Sequence, residues 1–138
     1  MYSTEDKVTS SLVVDELRLD FLPRHLGRHY LLGEAMIFDW AGRLSRDYDG
    51  GSWEFFELSN GGFYLTPHMQ GPVPVACDTN GYAGQMGVEA FGIVVTLFAL
   101  CHMCERFDNA EHLAVAYHLL RGFARDHAEA VAIFNAID

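Results

Sequence analysis

Asp47-Tyr48-Asp49-Gly50-Gly51-Ser52-Trp53-Glu54-Phe55-Phe56-Glu57-Leu58-Ser59-Asn60-Gly61-Gly62-Phe63-Tyr64-Leu65-Thr66-Pro67 is the stretch that decides the fold. Two runs of β-formers flank Asn60-Gly61, and Asn-Gly is the pair best suited to the positive φ angles of a type I′ turn. A two-residue loop there sets Leu58 opposite Phe63, Glu57 opposite Tyr64 and Phe56 opposite Leu65. One face then carries Phe56, Leu58, Phe63 and Leu65 and must be buried. The other carries Trp53, Phe55, Glu57 and Tyr64, aromatic but not wholly apolar. What covers that second face is the first functional question.

Working outward, Ser10 to Phe21 reads as a short helix or an extended lead-in, after a polar stretch 1–9 expected to be mobile. Pro23 is expected to break it, leaving one turn closed by Gly27. From His29 to Leu44, the positions Leu32, Met36, Ile37, Trp40 and Leu44 form one apolar helical face. Beyond the hairpin, Val73–Cys77 and Gly81–Met86 read as a third and a fourth strand, with Pro74 at an edge or a strand start. Gly87 to Glu105 is apolar nearly all round, the pattern of a buried central helix, and too short to span a bilayer, which takes roughly 20 residues. Asp108 or Asn109 is placed to cap a helix reaching Gly122. Asp126 and Glu129 have capping-box spacing for a last helix to Ile137. Helices, then strands, then helices define an α+β domain over 10–138, with one antiparallel sheet of three to four strands and about four to five helices.

Composition narrows the function. The chain has 138 residues, is half apolar and carries a net charge of −10. Such an acidic chain without a basic run is a poor candidate for direct nucleic-acid or anionic-membrane binding. Three cysteines (Cys77, Cys101, Cys104) with no secretory leader point to a reducing cytoplasm.

No chemical motif survives its geometric requirements. Asp47–Gly51 resembles a calcium loop, but Gly51 and Leu58 stand where ligands belong. Cys101-His102-Met103-Cys104 lacks the second pair of a zinc site and falls at a helix C-terminal end, where the dipole disfavours thiolate. Gly81, Gly84 and Gly87 are neither a dinucleotide fingerprint nor a P-loop. Glu54 and Glu57 are three apart on a strand and point to opposite faces. His25 and His29 flank Gly27 with no carboxylate obvious nearby, and His112 and His118 align poorly on a helix. No catalytic residue, cofactor or metal ligand is assigned.

The residues Phe38-Asp39-Trp40, Arg43-Leu44, Asp47–Gly51, Trp53-Glu54-Phe55, Glu57–Tyr64 and Pro67 closely resemble the ArdB/KlcA antirestriction family. So do Leu19–Pro23, Gly92-Ile93-Val94, Thr96–Leu100, Ala132-Ile133-Phe134 and Ile137-Asp138. The resemblance covers nearly the whole chain, and Glu-Leu-Ser-Asn-Gly-Gly-Phe-Tyr is its most specific signature. It departs mildly at Ala128, where many relatives have proline. The resemblance implies a small α+β fold with one antiparallel sheet. It also implies a gene carried on plasmids or other mobile elements, and relief of type I restriction–modification of incoming DNA. It supplies no catalytic residue.

Arithmetic bears on the mechanism. A compact chain of this length has a radius of gyration of about 14 Å and spans roughly 37 Å. B-DNA of that length carries on the order of 22 charges. A net charge of −10, scattered from Glu5 to Asp138, falls well short of imitating it. The expectation is therefore an interaction protein acting on the type I restriction–modification complex or on a host factor controlling it. The residues expected to meet that partner are Asp47, Asp49, Trp53, Phe55, Glu57, Asn60 and Tyr64. A partial acidic DNA mimic is one alternative. An enzyme with a pocket formed by Glu57, Tyr64 and a histidine is another.

Overall fold

In the computed structural model, which describes residues 7–138, the hairpin forms the middle and one side of a three-stranded antiparallel sheet, β1 (Ser10–Leu12), β2 (Trp53–Leu58) and β3 (Phe63–Pro67). The α+β class stands, with five α-helices: α1 (Arg18–Leu26), α2 (Tyr30–Leu44), α3 (Val88–Arg106), α4 (Glu111–Arg125) and α5 (Ala130–Ile137). The third and fourth expected strands, β4 (Val73–Ala76) and β5 (Ala83–Met86), do not extend the sheet. They pair with each other as a separate ribbon. The reason is that the free edge of β3 is already covered: α3 lies on it, and the Thr96 hydroxyl accepts the Leu65 N–H at 3.2 Å. A helix over an edge strand satisfies its outward backbone groups and stops further pairing.

The hairpin register is one residue away from the expected one. Glu57 faces Phe63, Phe56 faces Tyr64 and Phe55 faces Leu65. The loop has three residues, Ser59-Asn60-Gly61: the Gly61 N–H returns to the Leu58 carbonyl and the Leu58 N–H donates to the Gly62 carbonyl. Only Gly61 takes positive φ (95°), the pattern of a type I turn with a glycine bulge. Asn60 supports the turn by accepting the Gly62 N–H and donates its amide to the Leu119 carbonyl on α4. A one-residue slip changes which side chains share a face. Trp53, Phe55, Glu57, Phe63 and Leu65 lie together, and Tyr64 lies on the opposite face with Phe56.

Both faces are covered. On the first, Phe21 of α1 stacks on Phe55 at 4.7 Å and meets Phe63 edge-on at 5.6 Å, while Phe38 of α2 packs on Trp53 at 5.4 Å. On the second, Tyr64 is sandwiched between Phe56 (4.9 Å) and Phe123 of α4 (5.7 Å).

At the centre α3 is buried along most of its length and packs on α2, α4, α5 and β3. By length and hydropathy it could cross a membrane, but 61% of that apolar window lies inside the fold, so the core accounts for its composition. Gly92 lets it approach β3 closely: a Cβ there would stand 2.9 Å from the Thr66 Cα and closer still to the Leu65 carbonyl oxygen.

Other expectations change in detail. Pro23 lies inside α1 instead of ending it, and the helix stops at Gly27, φ 73°. The α2 face that is buried runs through Gly33, Met36, Ile37, Ala41 and Leu44, leaving Leu32 half-exposed. Neither Asp108 nor Asn109 caps α4, which begins after Ala110 and continues to Arg125. The Asp126/Glu129 capping box does not form. The Glu129 carboxylate instead accepts the Gly87 N–H at 3.0 Å, capping the start of α3, while its own N–H donates to His127 Nδ1. His127 Nε2 then donates to Glu89 at 2.7 Å, so a carboxylate and a hydrogen-bonded histidine join the α4–α5 turn to α3. Of the stretch 1–9, residues 1–6 lie outside the described residues, and Thr9 exchanges backbone and side-chain bonds with Ser59.

Candidate functional site

The seven expected contact residues are not one surface. Trp53 is 3% exposed and Tyr64 0%, so neither ring is available to a partner in the folded chain. The Trp53 indole N–H donates to the Tyr48 hydroxyl at 3.0 Å, and the Tyr64 hydroxyl bonds Ser10 Oγ at 2.9 Å. Burial pushes the Tyr64 phenol up to about 12, with the nearby Glu89 carboxylate adding to the effect and the Ser10 bond opposing it. Asn60 is occupied in the turn. Asp47 and Asp49 are exposed in the loop before β2, and Gly50 and Gly51 take positive φ there.

Phe55 and Glu57 remain at the surface, half-buried, and α1 supplies their partners. The Arg18 guanidinium lies 4.4 Å from the Phe55 ring centre and donates to the Trp53 carbonyl. Glu57 receives Arg24 at 2.6 Å on one oxygen and His25 at 2.9 Å on the other. His25 packs 4.3 Å from Phe63, and its pKa is lowered. Burial disfavours the imidazolium more than Glu57 favours it, and Arg24 adds repulsion.

Beside this triad a cavity of about 320 Å³ opens between α1 and the start of α2, with Phe55 on one wall and Leu19, Leu31, Arg18 and Glu34 around it. Leu19 is 94% exposed and Leu31 67%. Two such leucines beside an aromatic wall and an arginine have the composition of a protein-contact patch. Nothing in the sequence singles out Arg18, Leu19, Arg24 or Leu31 as contact residues, and His25 is set aside there for want of a nearby carboxylate, which Glu57 supplies from the sheet at 2.9 Å. The 3.6-residue spacing of α1 gives no signal for Leu19: it sets Leu19 at i, i+3 and i+7 with the buried Leu22 and Leu26, yet the side chain is exposed.

The pocket required for the enzyme reading is not formed by its three residue types. Glu57 and His25 are together, but Tyr64 is on the far face of the sheet. One Ser–His–carboxylate chain exists, with Ser52 Oγ 3.0 Å from His68 Nδ1 and His68 Nε2 3.5 Å from Glu54. His68 and Glu54 are more than a third exposed there, so solvent screens the charges that would activate a nucleophile. Among the described residues no group of His, Cys, Asp or Glu is placed to hold a metal. The Cys101 and Cys104 thiols are both pushed up, by burial first and then by neighbouring acidic groups, the reverse of a reactive pair.

These features define a small acidic α+β domain, two antiparallel sheets around one buried helix, with an aromatic and ionic patch on the α1 side. Its fold matches a solved structure of the KlcA and ArdB proteins with a TM-score of 0.90, at 44% identity and covering 100% of both chains. Those proteins are described as having a novel fold and antirestriction activity against type I DNA restriction systems in vivo but not in vitro. Two antirestriction proteins KlcA of Escherichia coli are similar throughout: one is 43% identical with 100% of each chain covered, the other 44% identical with 95% and 94% covered. The family model described as antirestriction protein matches residues 46–138. The chain belongs to the antirestriction protein family.

Proposed function

We propose that this chain relieves type I restriction of incoming DNA by binding a protein, either the restriction–modification complex or a host factor that controls it. Full-length similarity to KlcA supports the biological role. The observation that carries the mechanism is the α1 patch: Leu19 and Leu31 exposed beside Phe55, with Arg18, Arg24 and Glu57 around them. Apolar area of this kind gains by burial against a partner, and the ionic rim gives it orientation. The relatives' activity in vivo but not in vitro favours a host factor absent from purified reactions.

Full DNA mimicry is disfavoured. The net charge is −10, and part of it is neutralised locally, as at Glu57 by Arg24. Enzymatic action is disfavoured because its three groups do not converge: Glu57 and His25 meet, but Tyr64 lies on the opposite face of the sheet. The site of action we assign is the bacterial cytoplasm, where restriction meets entering DNA. No direct contact with nucleic acid and no membrane attachment is needed.

The test is the plating efficiency of unmodified phage on a type I restricting host, with and without the chain expressed, paired with a low-salt gel shift of the purified protein on duplex DNA. Restored plating without a shift supports the proposal. A salt-sensitive shift at sub-micromolar protein would instead assign the effect to DNA binding.

A further inference from the structure

On the other side of α2, two concavities share one wall, Arg43. The larger, about 630 Å³, runs between the C-terminal end of α2 and the β4–β5 ribbon. The smaller, about 310 Å³, lies between α2 and α3 over Trp40 and Phe98. Among the described residues, the only charged ones lining the larger concavity are Arg43 and Arg46, in a chain whose net charge is −10. Both side chains are exposed, and among the described residues neither makes an ion pair.

Arg43 is nevertheless held in place. Its guanidinium sits 4.0 Å from the Trp40 ring centre, and Trp40 stacks on Phe98 at 4.8 Å and 15°. The Trp40 indole N–H donates to His102 Nδ1 at 3.2 Å, which fixes the ring in its own plane. A guanidinium stacked on one face keeps its N–H fork free for a carboxylate while losing little further freedom on binding. The floor is open, since a Cβ on Gly42 would meet nothing within 4 Å. Ala83 and Gln85 line the groove, and their register turns their backbone N–H and C=O groups away from β4, on a ribbon of only two strands.

We propose that this groove docks an extended acidic segment of a partner protein. Carboxylates of that segment pair with Arg43 and Arg46, and its backbone adds to the edge of β5. A free strand edge supplies the hydrogen bonds for such addition, and alternate side chains of the added strand supply specificity. The excess of acidic residues elsewhere on the chain opposes a phosphate backbone, which carries far denser charge than a peptide with alternating carboxylates. The inference rests on the reading above that the chain acts by binding protein, and it adds a second contact with defined chemistry.

The experiment uses fluorescence anisotropy of a labelled peptide alternating glutamate and threonine. Its controls are the same peptide with glutamine for glutamate and a labelled oligothymidylate. The acidic peptide should bind the wild-type chain and quench Trp40 emission. It should bind the Arg43→Gln/Arg46→Gln variant about tenfold or more weakly, and the remote Arg125→Gln variant normally. Because Arg43 and Arg46 are exposed, the variant should keep its melting temperature. Single Arg46→Gln, which leaves the Trp40 stack intact, should show a partial loss if the double variant unfolds. Equal binding of the glutamine peptide, undiminished binding by the double variant, or preference for oligothymidylate would each overturn the inference. Failure here alongside restored phage plating removes the groove and leaves the proposed function standing. Peptide binding without restored plating does the reverse.

Discussion

Gly92→Ala tests the contact on which the fold depends. The added methyl would stand within 2.9 Å of the Thr66 Cα and nearer to the Leu65 carbonyl, and neither is a flexible side-chain end that can swing away. Ordinary carbon contact needs about 3.5 Å or more, so α3 must back off by on the order of 1 Å. Overpacking of this kind costs about 1–3 kcal/mol. The same movement stretches the Thr96–Leu65 bond, already 3.2 Å, one turn along the helix. Leaving that buried N–H unpaired costs about 1–3 kcal/mol more. The expected loss is about 4 kcal/mol, a large share of the ~5–15 kcal/mol that holds a domain together. At a urea slope of about 2 kcal/mol/M, the unfolding midpoint should fall by about 2 M, and Tm by about 15 °C. Urea titration followed by Trp53 emission, with circular dichroism for Tm, measures both. Gly42→Ala is the control: its Cβ meets nothing, and in a helix interior it should stabilise by about 0.5–1 kcal/mol. A Gly92→Ala protein within about 1 kcal/mol of wild type would refute the close helix–strand approach and the edge-covering argument built on it.

Other expectations follow from particular groups. His25 has a lowered pKa in the folded state, so the unfolded chain binds the extra proton and stability should fall as pH drops below about 6.5; His25→Asn should flatten that slope in denaturant titrations. Tyr64 is raised, so the unfolded chain loses its proton first; stability should fall as pH rises above about 10, and ultraviolet absorbance should show one phenol titrating near 12, absent in Tyr64→Phe. Glu129→Ala removes the carboxylate on the Gly87 N–H and should cost about 0.5–2 kcal/mol by thermal melting, with Glu129→Gln losing less.

The hairpin, the central helix and the α+β order were legible because each is a local pattern: paired β-runs around Asn60-Gly61, and an apolar stretch long enough for one buried helix. The register was not. Asn60-Gly61 serves a two-residue loop with both residues at positive φ, and equally a three-residue loop with only Gly61 there. Packing of Phe21 on Phe55 and Phe63, and of Phe123 on Tyr64, accompanies the second choice and involves residues far away in sequence. That slip moved Tyr64 off the face expected to meet a partner. The cap at Glu129 had the right spacing for its own helix, but its carboxylate satisfies a backbone N–H 42 positions earlier. Pro23 stands inside α1, where its missing N–H costs the helix one bond, to the Leu19 carbonyl, and the helix nevertheless runs on to Leu26. At the candidate site, Glu57 was visible in the sequence, but Arg24 and His25 come from 33 and 32 residues away.

The measurement that tests the central claim most directly is phage plating on a type I restricting host expressing either the wild-type chain or Leu19→Asp/Leu31→Asp. Both positions are exposed, at 94% and 67%, so the variant should fold and melt as the wild type does. The account predicts that the wild-type chain restores plating of unmodified phage and that the folded variant does not. Full restoration by the variant, at equal soluble expression, would contradict the assignment of the α1 patch as the surface through which this antirestriction protein acts.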